Sequence, residues 1–124
     1  MPTMNADETS AFLDQSHIAH LVTLRADGSP HVAPVWYEYQ DDVFVMFTPS
    51  NSQKVRNLAL DTRASLSVAS VDEPYRYVVV EGTVEVGEMD FAEVALRIAT
   101  RYQGIERGQA FVNDLRCAYS MVVL

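Results

Sequence analysis

The sequence predicts a mainly β protein, a small antiparallel barrel with minor helical content, and three observations carry that expectation. About six segments have the β-branched and aromatic richness of strands, against two or three with helical spacing. Most connections are of turn length, which suits antiparallel hairpins and not parallel crossovers. The five glycines are scattered singly, so the Gly-rich fingerprint of a doubly wound dinucleotide-binding sheet is missing. At 124 residues the chain is expected to form one domain, 1–124, whose core needs no disulfide or metal staple.

Residues 6–16 read as a helix anchored by Phe12 and Leu13 and without a strong cap. Residues 18–25 form the first strand, and Asp27-Gly28 turns it into a second over 30–39. Asp41-Asp42 leads to a third over 43–48, completing a meander. Pro49 and Ser50 end that strand, and Ser50 with Gln53 has the spacing of a capping box for a helix over 52–60. Residues 64–71 and 75–86 pair as a hairpin about Asp72-Glu73-Pro74, with Gly82 marking a bulge, a close approach or a simple bend. Asp90 and Glu93 have capping spacing for a helix in which Phe91, Val94, Ala95, Ile98 and Tyr102 recur until Gly104 stops it. A final strand over 115–124 runs to the last residue with no terminating signal, which leaves open whether the natural terminus lies beyond it.

Composition excludes several function classes. Seventeen acidic residues against nine Lys and Arg give a formal charge of −8, unsuited to nucleic acid, whose phosphates are captured by basic surfaces. No stretch has the length and apolarity of a membrane span, and the polar, acidic opening is unlike a secretory signal, so a cytoplasmic location is expected. The lone Cys117 lies in an apolar run and reads as an inert thiol. His17, His20 and His31 lack the partners and spacing of a zinc site, and no nucleophile elbow or Cys-His signature is present. No metal and no catalytic acid, base or nucleophile is therefore assigned.

The positive features concentrate in one place. Lys54, Arg56 and Arg63 fall within ten residues, where they can create a local positive field despite the net charge. The first turn of a helix leaves N–H groups without acceptors and favours negative charge, so Ser50, Ser52, Lys54 and Arg56 form a candidate phosphate seat; a solvated helix face is the plainer alternative. Pro34-Val35-Trp36-Tyr37 and Phe47-Thr48 lie just upstream and supply an apolar, aromatic wall. A ring wall beside a phosphate seat describes a flavin-type pocket.

With these residues assembled, the chain resembles the split β-barrel flavin and deazaflavin oxidoreductases, the pyridoxamine 5′-phosphate oxidase-like superfamily. The resemblance rests on 24–36, Phe47-Thr48 with 52–58, 61–66 and 78–82, in that order. It implies a six-stranded split barrel of the FMN-binding type. Its implied cofactor residues are Ala33, Pro34, Val35, Trp36, Phe47 and Thr48 along the ring, and Ser52, Gln53, Lys54, Arg56, Asn57 and Tyr77 about the phosphate and the remainder. Tyr77 stands where the FMN oxidases usually place a glutamine, and the Arg and Lys that bracket their FMN-binding run are missing. The Pro-Val-Trp strand and the Gln-Lys-Val-Arg-Asn-Leu helix look like the branch that uses coenzyme F420. The resemblance thus implies an F420-dependent reductase acting on an unsaturated or quinone-like organic substrate, working as a homodimer with sites at the subunit interface. FMN is the alternative cofactor, and a non-catalytic flavin or F420 carrier the alternative role.

Overall fold

Six extended runs appear in the order the sequence predicts, but two of them are broken. The computed structural model describes residues 3–40, 42–87, 91–118 and 121–123, with side chains through Val112. Helix α1 (Ala6–Leu13) leads into β1 (Ala19–Leu24) and β2 (Pro30–Val35). The run expected over 30–39 breaks at Trp36 and Tyr37, and resumes as β3 (Glu38–Gln40). The next run breaks at Met46 into β4 (Val43–Val45) and β5 (Phe47–Pro49). Helix α2 (Gln53–Leu60), β6 (Arg63–Ala69) and β7 (Tyr77–Thr83) follow, then α3 (Phe91–Gln103), α4 (Ile105–Ala118) and β8 (Met121–Val123).

The two breaks bend the strands out of one layer and into three antiparallel pieces, a four-stranded sheet in the order β2-β1-β6-β7 and the pairs β3-β4 and β5-β8. At the first break the buried Tyr37 donates its hydroxyl to Leu13 O at 2.8 Å, and burial pushes the phenol up to about 12. The inward faces of the four-stranded sheet and α1 enclose a core of Phe12, Leu13, Leu21, Tyr37, Leu66 and Val68. A second apolar layer forms where α3 buries Val94 and Ile98 against Trp36 and Phe47.

Local chemistry explains most ends. Asn5 caps α1 through a full capping box with Glu8, so the helix has the strong cap that its sequence seemed to lack. Asp27 accepts from Ser29 N and Oγ, and Gly28 takes φ +86, as the tight turn requires. Asp42 sits at φ 64 in the β3–β4 turn; Asp41 lies outside the described residues. Ser52, not Ser50, caps α2, accepting from Val55 N at 3.4 Å, because Ser50 still belongs to the turn that leaves β5. Gly82 pairs in register with Ala64, so it marks no bulge. Gly104 ends α3 at φ +84, while the proposed cap Asp90 lies outside the described residues.

The carboxy-terminal expectation is corrected. Residues 105–118, including the first part of the strand expected over 115–124, are helical. Gly104 reverses the chain, and Gly108 lets α4 approach α3 so closely that a Cβ there would stand 3.0 Å from Thr100 N. A helix packed on α3 therefore wins over the β propensity of the apolar end, and the helix count among the described residues is four. Cys117 falls in α4 rather than in a strand. Among the described residues of that expected strand, Met121–Val123 is extended, and it pairs with β5.

Candidate functional site

A cavity of about 550 Å³ opens where the first strand break meets β5, the first turn of α2 and the side of α4. Pro34, Val35 and Trp36 form one wall, Phe47 and Thr48 another, Lys54 stands at α2, and Phe111 closes the α4 side. Each placement follows from the local fold. Leaving strand geometry at Trp36 frees its indole to stack on Tyr102 of α3, with centroids 4.9 Å apart and planes 8° apart, and to meet Phe111 at 5.1 Å. Phe47 meets Phe91 edge-on at 5.8 Å. Because β5 runs into α2 through a short turn, Lys54 lies in the first helical turn beside these rings.

The electrostatics single out Lys54. Burial lowers its pKa from the ordinary 10.5, and among the described residues no carboxylate forms an ion pair with it. The other two cations of the expected cluster are occupied. Arg63 is bidentate on Asp61, Nε to Oδ1 at 3.0 Å and an Nη to Oδ2 at 2.7 Å, and holds its carboxyl down at about 2. Arg56 folds back over its own helix start, donating to Asn51 O at 2.6 Å and Gln53 Oε1 at 2.8 Å. His31 lies in the field of Arg25 and Lys54; burial first, and then both cations, lower its pKa, and its buried Nδ1 has no hydrogen-bond partner.

The structure thus brings together Pro34, Val35, Trp36, Phe47, Thr48 and Lys54. Ser52 adjoins them, its hydroxyl accepting from Thr48 Oγ1 at 3.2 Å. Ala33 pairs with the buried Leu21 of β1 and is not on the cavity wall. Asn57 is 1% exposed and donates to Thr23 Oγ1 at 2.9 Å while accepting from Gln53 Nε2 at 2.6 Å, so both amides serve a buried clasp between α2 and β1. Tyr77 stands apart, 60% exposed at the end of edge strand β7. Sequence reasoning missed Ile18, Pro49 and Phe111 on the wall. For Phe111 a signal existed: Gly108, Phe111, Val112 and Leu115 recur at helical spacing.

Chemically, the arrangement is an apolar slot with a half-buried cation at one end, suited to a flat conjugated ring carrying an anionic group. Comparison with known proteins agrees in kind. The family model described as pyridoxamine 5′-phosphate oxidase matches residues 6–114. An F420H(2)-dependent biliverdin reductase of Mycobacterium tuberculosis (strain CDC 1551 / Oshkosh) is 36% identical over 105 residues, 82% of this chain and 74% of the relative. Among solved structures, a conserved hypothetical protein of Mycobacterium tuberculosis superposes with TM-score 0.79 at 27% identity, covering 98% of this chain and 80% of the other. An F420 reductase superposes with TM-score 0.75 at 26% identity, covering 99% and 91%.

Proposed function

We propose, from the premise that the chain belongs to the pyridoxamine 5′-phosphate oxidase family, that it is a coenzyme F420-dependent reductase acting on an unsaturated or quinone-like organic substrate. The observation that carries this reading is Lys54, a half-buried cation that among the described residues has no carboxylate partner, at the end of an aromatic slot in a protein of charge −8. Losing water is costly for an ammonium unless an anion compensates, and a phosphate does so with charge-assisted hydrogen bonds. The residues present fit the group: Pro34, Val35, Trp36 and Phe47 offer flat apolar surface, and Ser52 retains a hydroxyl proton to donate beside Lys54.

The reduced deazaflavin, when bound, supplies the hydride. The chain's own work is to orient and to exclude water: the aromatic wall holds a flat acceptor against the slot, and its apolar lining keeps solvent away from the transfer. No side-chain acid or nucleophile is required for that task. We further propose a homodimer with its sites at the subunit interface, which the exposed Val32 and Val79 on the outer face of the four-stranded sheet support.

Fluorescence titration of the purified protein with F420 and with FMN tests the cofactor. Anaerobic mixing of the reduced complex with quinones, enones and biliverdin, the substrate in the mycobacterial relative's name, tests the acceptor. Saturable F420 binding and acceptor-dependent reoxidation are expected. Binding of FMN alone, with reoxidation by oxygen, sinks the F420 assignment; reoxidation no faster with any acceptor than in buffer leaves a carrier instead of a reductase.

A further inference from the structure

Phe111 meets both aromatic walls of the Lys54 slot at once, its ring 5.1 Å from the Trp36 indole and 6.3 Å from Phe47, centroid to centroid. The backbone that carries it has little room to yield. One turn earlier, Gly108 rests so closely on α3 that a Cβ there would stand 3.0 Å from Thr100 N and 3.1 Å from the Ala99 carbonyl carbon. The next residue, Val112, is 2% exposed and packs with Ala95 and Ala99 of α3. Across the slot, Trp36 is itself backed by Tyr102, stacked at 4.9 Å. Close-packed groups resist being pushed apart even by a methylene, so a ring held between these supports makes a fixed boundary instead of an adaptable one.

The space inside that boundary is limited. About 550 Å³ lies in the range that holds one drug-sized molecule. A coenzyme ring and an acceptor stacked face to face must share it, which leaves the acceptor the smaller part. We propose, resting on the reductase reading of the slot, that Phe111 is its specificity-determining residue: it limits the acceptor to compact planar quinones of one or two fused rings and turns away extended conjugated molecules such as tetrapyrroles. A compact ring gains the aromatic contact of Phe111, whereas a larger one must displace it against α3. Hydride and one solvent proton convert such a quinone to its hydroquinone, so both electrons come from the reduced coenzyme and no other reductant is needed.

The chain has a single tryptophan, so the Trp36 indole N–H gives one assignable NMR signal in the slot wall. With the coenzyme absent, naphthalene-1-sulfonate and pyrene-1-sulfonate are titrated into wild type, Phe111→Leu and Phe111→Ala; both probes carry one sulfonate for Lys54 and differ by two fused rings. Affinity for the pyrene relative to the naphthalene should rise in Phe111→Leu and rise further, roughly tenfold, in Phe111→Ala. Should the alanine variant lose its fold, the leucine variant, which keeps an apolar side chain against Trp36, gives the same readout. With reduced F420, kcat/KM for menadione relative to biliverdin should fall in the same order. A relative affinity that is the same in every variant, or a loss equal for both sulfonates, overturns the proposal. A shifted relative affinity in a protein that binds no F420 upholds the size limit and sinks the coenzyme assignment. F420-dependent turnover with unshifted selectivity does the reverse.

Discussion

The Lys54 slot and the Arg76 cavity have similar volumes, about 550 and 580 Å³, and each holds a cation that among the described residues makes no ion pair, yet they are built by opposite means. The slot is assembled over long range: β2, β5, α2 and α4 each contribute, and its rings reach from Trp36 to Phe111. The Arg76 cavity is made by one self-bonded turn and by Thr3, Met4 and Glu8 at the start of the chain and of α1. The difference teaches where each should be vulnerable. A cavity held by the tertiary core fails when packing fails, whereas a cavity held by a turn should survive such damage and respond to its own few side chains.

The largest expected effect comes from Trp36→Ala. Removing the indole stacked on Tyr102 should cost about 3 kcal/mol, the low end for a large aromatic because Trp36 is only partly buried. F420 affinity should fall with it, while the turn that Arg76 N closes on Ser70 Oγ persists in whatever fraction stays folded; urea denaturation, fluorescence titration and the NMR shift of the Arg76 amide check these. Equal disturbance of the two regions would break the comparison. Lys54→Ala should lower F420 affinity roughly ten- to a hundredfold, about 1.5–3 kcal/mol, with the midpoint of thermal unfolding nearly unchanged. An unchanged affinity by fluorescence titration removes Lys54 from the site.

Gly108→Val should cost about 1–3 kcal/mol, because a side chain there meets the α3 backbone and drives α4, with Phe111, off the slot. The expected signature is weaker F420 binding with the Arg76 amide shift unchanged. The smallest effect is a pH dependence at His17, which stacks on Phe12 at 4.3 Å. Burial first, then Arg76 and Arg101, lower its pKa below the ordinary 6.5. A base whose folded pKa is depressed contributes stability above its unfolded pKa and loses it as pH falls toward the folded one, so the unfolding midpoint should drop on acidification below 6.5. His17→Phe should flatten that part of the profile. Arg76→Gln, which removes one of those charges, should raise the His17 pKa measured by NMR, and F420 in the slot should leave it less affected.

The same contrast governs what the sequence makes legible. Lys54, Trp36 and Phe47 stand out because strand end, helix start and aromatic run are contiguous in the chain, and local spacing is what a sequence displays. The breaks at Trp36 and Met46 are not visible, since both residues have ordinary strand character and only the bend toward α3 sets them apart. The clasp at Asn57 is not visible either, because the Thr23 hydroxyl that engages it is 34 residues away. Helix α4 is masked by Gly108, a poor helix former by propensity whose small size is required by the neighbouring helix. The Arg76 cavity offers no pattern at all, because what distinguishes its arginine is the lack of a partner in space.

One hydroxyl in the aromatic wall has a consequence for observing the molecule at work. The Tyr102 phenol donates to His17 O and accepts from Tyr37 N, so α3 supplies the hydrogen bond that the broken strand leaves unmade at residue 37. The protection of that single amide from solvent deuterium therefore depends on α3 being docked. The exchange rate of the Tyr37 amide is a built-in clock for the opening of the helical side of the slot, readable without any label and without any substrate.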